Sequence, residues 1–162
     1  MTSVVISPVP VQAETPDEWI ALGQRIHGGF GSYLAVGIRI GLDARTRLGA
    51  TPRELDVTYH TGKDAPCPCM VDGIMIATVA SPGQNTLRVV FDQGGSTLFG
   101  VAIIRHRKTG ETLRYSVPAS TRLRLDEWNE AHNERGRYAA VMAAPQDFLF
   151  QVELQSSKSI GE

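Results

Sequence analysis

Apolar residues recur at helical spacing through the first third of the chain and alternate with polar ones through much of the remainder. Trp19, Leu22 and Ile26 stand three and four residues apart, which predicts a helix burying that stripe. Thr15-Pro16-Asp17-Glu18 opens it as a capping box, with Thr15 as N-cap and Pro16 at the first helical position. Gly28-Gly29 stops it after His27 and frees the backbone for a tight turn. A second helix is expected from Ser32 as N-cap, with Leu34, Ile38 and Leu42 on one face. Gly37 and Gly41, one turn apart, permit close contact with another helix or a sheet. Gly49 is its expected C-cap, and Pro52 prevents continuation.

The alternation in residues 55–60 reads as a strand. Residues 69–79 then form a helix that is apolar nearly all round (Met70, Val71, Ile74, Met75, Ile76, Val79), the pattern of a buried helix. Asp72 is its one charge. After a loop over 81–85, strands are expected over 86–92, 98–105 and 112–117, the last two joined by a hairpin at Thr109-Gly110. A charged helix over 123–143, weakened at Gly136, a turn at Pro145-Gln146-Asp147 and a strand over 148–154 complete the series. That order predicts a single α+β domain, a mainly antiparallel sheet with helices packed on it. Residues 1–14 read as an N-terminal arm, 15–154 as the core domain and 155–162 as a flexible polar tail.

Composition narrows the partners. A chain of 162 residues can bury about two-thirds of the surface its unfolded form exposes. The formal net charge of −1 argues against a nucleic-acid surface and against a polybasic membrane patch. No apolar run approaches the roughly 20 residues that span a bilayer. The opening residues lack the basic start and apolar core of a signal peptide, so a cytoplasmic protein is expected.

The chemistry concentrates at Cys67-Pro68-Cys69, which holds both cysteines of the chain. Pro68 cannot sit inside a helix but suits the approach to one, which places Cys69 near a helix N-terminus. Unpaired N–H groups and the helix dipole there favour a thiolate, as nucleophile or metal ligand. On a stiff backbone the two side chains are expected to diverge rather than bond to each other. In a reducing compartment they read as thiols for metal or chemistry. Asp72 shares a helix face with Cys69 and could orient a ligating histidine. His27, before the two glycines, and His60, at a strand end, are the histidines placed to join the thiols; His106 and His132 read as solvated. Two cysteines and one histidine suit zinc and leave an open fourth position for a small-molecule ligand. Buried packing is the plainer alternative for Cys69, and a buried hydrogen-bonded carboxylate for Asp72.

These segments, in order, resemble the FmdE family, named for a component of formylmethanofuran dehydrogenase. His27-Gly28 with Leu34-Ala35-Val36-Gly37 is similar to the family's His-Gly-His-x-Cys-Pro-Gly turn and the helix after it. Cys69-Met70-Val71-Asp72-Gly73-Ile74 resembles its Cys-x-x-Asp-Ala-Ile segment. Phe91-Asp92-Gln93-Gly94-Gly95 and residues 107–114 resemble its hairpin signatures, and residues 143–150 its closing Ala-Pro-x-x-x-Leu-Phe. Gly29 stands where the family has its second histidine, and Gly31 and Ser32 stand at its cysteine and proline. The resemblance implies a stand-alone α+β core without the C-terminal zinc finger, a Cys/His metal site and a homodimer. Cys69 and His27 would be the core ligands, with Cys67 or His60 completing the set. Two other readings remain open. One is a metal-free thiol enzyme with Cys69 as nucleophile, His27 or His60 as base and Asp72 orienting it. The other is a degenerate module acting in binding or assembly.

Overall fold

The computed structural model describes residues 14–62, 65, 67–92 and 97–156. The arm expected over 1–14 and the tail over 155–162 lie almost wholly outside these residues. Helix α1 (Pro16–His27) begins with the capping box in full: Thr15 accepts from the Glu18 N–H, and Glu18 accepts from the Thr15 N–H. Gly28 closes it in the left-handed conformation at φ 84°, a geometry that favours glycine. The buried face is Trp19, Ile20 and Gly23, so only Trp19 of the expected stripe is buried; Leu22 and Ile26 are 40% and 48% exposed. Spacing alone does not distinguish the two faces, because Ile20 and Gly23 also repeat at three. Gly23 decides it, since it lets the Phe30 ring and Leu34 close against the backbone.

Helix α2 (Ser32–Leu48) is the central element, buried on nearly every side from Ser32 to Gly41. Its N-cap is Gly31, and Ser32 lies inside the first turn, where its hydroxyl donates to the Leu125 carbonyl instead of capping. Helix α3 (Cys69–Thr78) lies directly against α2. The approach is so close that a Cβ at Gly37 would strike the Met70 carbonyl, and one at Gly73 the Leu34 carbonyl. Three glycines, Gly37, Gly41 and Gly73, therefore set the distance between these helices.

The sheet runs β2 (Leu87–Val90), β1 (Leu55–Thr61), β3 (Leu98–His106), β4 (Thr112–Pro118), β5 (Gln151–Gln155). Three pairs are antiparallel and β1–β2 is parallel. A parallel neighbour needs a crossover, and α3 supplies it. That β1–α3–β2 unit sets the N-terminus of α3 after the carboxyl end of β1. Burial alternates strictly along β1 and β4, so one sheet face supplies the core with Leu55, Val57, Tyr59, Leu113, Tyr115 and Val117.

The long charged helix expected over 123–143 is two helices, α4 (Thr121–Ala131) and α5 (Glu134–Ala143). The break falls at His132-Asn133, where Asn133 N-caps α5 by accepting from the Gly136 N–H. Gly136 thus opens a helix rather than weakening one. The expected turn at Pro145 continues into a short helix, α6 (Gln146–Leu149), which delays the last strand to Gln151 and leaves Phe150 in the core. The expected α+β class, a mainly antiparallel sheet with helices, is the fold observed.

Candidate metal centre

The site forms where the end of α1 meets the first turn of α3. The Gly28–Gly31 turn joins α1 to α2, and residues from α4 and α5 pin it from outside. The Ser32 N–H donates to Asn129 Oδ1 (2.8 Å), which serves as a cap borrowed from α4. The Tyr33 hydroxyl donates to Asp126 Oδ1 (2.6 Å). Burial first, and then that carboxylate, hold the Tyr33 phenol well above its ordinary pKa, so it stays a donor. Arg137 donates to the Phe30 and Asn129 carbonyls (3.0 and 2.6 Å). Nothing in local sequence marks Asn129, Asp126 or Arg137 for this work. Their partners lie between 8 and 107 residues away.

His27 emerges from this pinned turn. Its Nδ1 lies 2.7 Å from Asp72 Oδ2, a contact that joins α1 to α3. Both side chains are about a third exposed, so the pair faces an accessible surface. With Nδ1 engaged, Nε2 is the ring nitrogen left for a ligand, the arrangement in which a carboxylate orients a metal-binding imidazole.

Cys69 is the first residue of α3, with Pro68 as N-cap. Pro68 takes φ −79° and ψ 41°, towards the inverse γ-turn, and bends the chain between the two cysteines. The expectation that the thiols diverge is therefore overturned. Cys67 and Cys69 are paired, with Cα atoms 5.3 Å apart, inside the range that a disulfide requires. The expectation assumed a stiff Cys-Pro-Cys backbone, and the turn at Pro68 removes that premise.

The donor atoms of His27, Cys67 and Cys69 all lie within 4.8 Å of one another. Two sulfurs and an imidazole converging at that range fit a soft to borderline metal ion. Asp72 stands behind His27 and is not one of the converging donors. His60 is not among them either. Its Nδ1 pairs with Asp92 Oδ1 (2.8 Å) at the end of the parallel β1–β2 pair, a second His–Asp couple built by strand register. His106 is buried, not solvated: its Nδ1 accepts from the Lys108 and Thr109 N–H groups and organises the hairpin.

Fold and site together define a small α+β domain with a Cys/His cluster at a helix N-terminus. Residues 26–151 match the family model described as FmdE, Molybdenum formylmethanofuran dehydrogenase operon, and the chain belongs to that family. No curated protein matches the chain. Among the described residues, no helix is long and apolar enough to cross a membrane.

Proposed function

We propose that this chain is a metal-binding domain whose ion is zinc, held by Cys67, Cys69 and His27 when the two cysteines are reduced. The convergence of those three donor atoms within 4.8 Å carries the reading. Zinc is borderline-soft and takes sulfur together with nitrogen, and three protein ligands leave a position open to a small molecule. Zinc bound there would supply Lewis acidity at that position. The protein's part is positional. Asp72 holds the His27 ring in one orientation and tautomer, Pro68 turns both sulfurs to the same side, and Gly28 lets α1 end where His27 can reach them. A homodimer is part of the same reading. Helices α1 and α3 are in contact, and Leu22 and Ile26 on α1 and Val79 at the end of α3 are exposed apolar side chains that a second copy would cover.

The His27–Asp72 pair beside Cys69 also favours a second reading, a metal-free thiol enzyme in which His27 activates Cys69. Metal analysis of reduced, tag-free protein separates the two. About one zinc per chain, lost in Cys69→Ser and in His27→Ala, supports the metal centre. A metal-free wild type in which alkylation of Cys69 slows on His27→Ala overturns it in favour of the thiol enzyme.

A further inference from the structure

Cys67 and Cys69 are the only cysteines of the chain, and they are paired with each other. The same two sulfurs are two of the three donors of the cluster. A sulfur shared in a disulfide has no thiolate to offer a metal. The site therefore has two mutually exclusive states, a disulfide without metal and a dithiol that can take one. The bridge is not a staple for the fold. It spans a sequence separation of 2, and disulfide stabilisation grows with the length of chain enclosed. Nor is it sealed, because both cysteines are only half-buried and Pro68 between them is equally accessible. A short, accessible bridge that holds nothing together fits reversible chemistry better than architecture.

We propose that Cys67 and Cys69 form a thiol–disulfide exchange centre whose co-substrates are low-molecular-weight thiols and their disulfides, and whose oxidation state governs metal occupancy. The second half rests on the zinc reading; the first does not. A thiolate RS⁻ attacks Cys67 Sγ, the Sγ–Sγ bond breaks, and its electron pair leaves on Cys69 Sγ. Cys69 suits the leaving role because it opens α3, where unpaired N–H groups and the helix dipole favour negative charge. A second RS⁻ attacks the small-molecule sulfur of the mixed disulfide, releasing the Cys67 thiolate and RSSR. The protein gains two electrons, two RS⁻ become RSSR, and the two new thiolates take protons or bind the ion. The reverse sequence, with RSSR as oxidant, ejects the metal.

The experiment equilibrates the full chain, with and without zinc, in glutathione buffers from fully reduced to fully oxidised. Alkylation and intact mass read the thiols, and elemental analysis reads the metal. Expected is one two-electron transition, with zinc bound in the dithiol state only, and added zinc shifting the midpoint towards more oxidising buffer. Cys69→Ser should accumulate one glutathione on Cys67, since the resolving thiol is gone. A pair that stays dithiol in every buffer, or a Cys69→Ser chain that never forms the mixed disulfide, overturns the exchange centre. Zinc retained in full by the disulfide form overturns the gating. A pair that exchanges freely but takes no zinc in the dithiol state sinks the metal reading and leaves the exchange centre standing.

Discussion

His27 Nδ1 and Asp72 Oδ2 meet at 2.7 Å across 45 residues of sequence, and this contact ties the end of α1 to the first turn of α3. Asp72→Asn keeps the size of the side chain but removes its charge. Metal affinity in the reduced protein should fall about 10–100-fold, the usual effect of losing a ligand's outer partner. Competition against a chromophoric chelator measures it. Unchanged affinity would show that Asp72 does not orient His27.

Gly37 and Gly73 face each other across the α2–α3 contact, where any Cβ meets backbone rather than a movable side chain. Gly37→Ala and Gly73→Ala should each destabilise by at least about 1–3 kcal/mol, the range for overpacking a closed contact. Gly29→Ala, with nothing within 4 Å of its Cβ position, should stay within about 0.5 kcal/mol of wild type. Urea midpoints of the three variants provide the comparison. Equal midpoints for Gly37→Ala and wild type would mean the helices can separate freely.

Two buried tyrosines on the same sheet face differ in one respect. The Tyr115 hydroxyl donates to Asp43 Oδ2 at 2.8 Å, whereas the Tyr59 hydroxyl has no protein partner. Burial raises the pKa of both phenols, and for Tyr115 the Asp43 carboxylate raises it further. Tyr115→Phe should therefore cost roughly 1.5–3 kcal/mol, as for a hydrogen bond to a charged group. Tyr59→Phe should be neutral or stabilising, because it removes a buried polar atom that the fold leaves unsatisfied. Thermal melts that rank the two in the opposite order would contradict this.

Glu54 provides the pH test. Lys108, and then the Thr51 N–H, hold its carboxyl at about 2, below its ordinary 4.5. A depressed folded-state pKa contributes stability that is present in full above the unfolded value. That contribution is lost as pH falls from about 4.5 towards 2. Wild-type stability should drop through this window more steeply than that of Glu54→Gln. Parallel denaturation curves for the two proteins at pH 2–6 would remove Glu54 from the account.

Leu22, Ile26 and Val79 should become protected if the chain self-associates through α1 and α3. Light scattering at micromolar concentration should report twice the 17.6 kDa chain mass, and Ile26→Glu should return it to the monomer. A wild-type monomer at that concentration excludes the dimer.

The local rules were legible in sequence because they act within one or two turns. The capping box at Thr15, the left-handed Gly28 and Gly49, the hairpin at Gly110 and the helix start at Cys69 each depend on near neighbours. The α+β class followed from the order of the elements, and Cys69, Cys67, His27 and Asp72 stood out by residue type and position. What lay beyond the sequence was decided mostly between distant segments, with two local exceptions at Asn133 and Pro68, where a side-chain cap and a turn interrupt the expected run. Gly23, not Leu22, set the buried face of α1, because Phe30 and Leu34 close on it. Asn133 placed the break in the last long helix through a side-chain cap that competes with helix continuation. His60 went to Asp92 and His27 to the thiols because strand register placed the first and the pinned α1–α2 turn the second. The turn at Pro68 set Cys67 and Cys69 with their Cα atoms 5.3 Å apart, a geometry that residue type alone does not fix. Residue type supplies the donors, but directional bonds between sulfur, imidazole and carboxylate form only over a few ångströms. Only the close approach of α2 and α3, together with the turn that α4 and α5 hold in place, puts those donors within reach of one another.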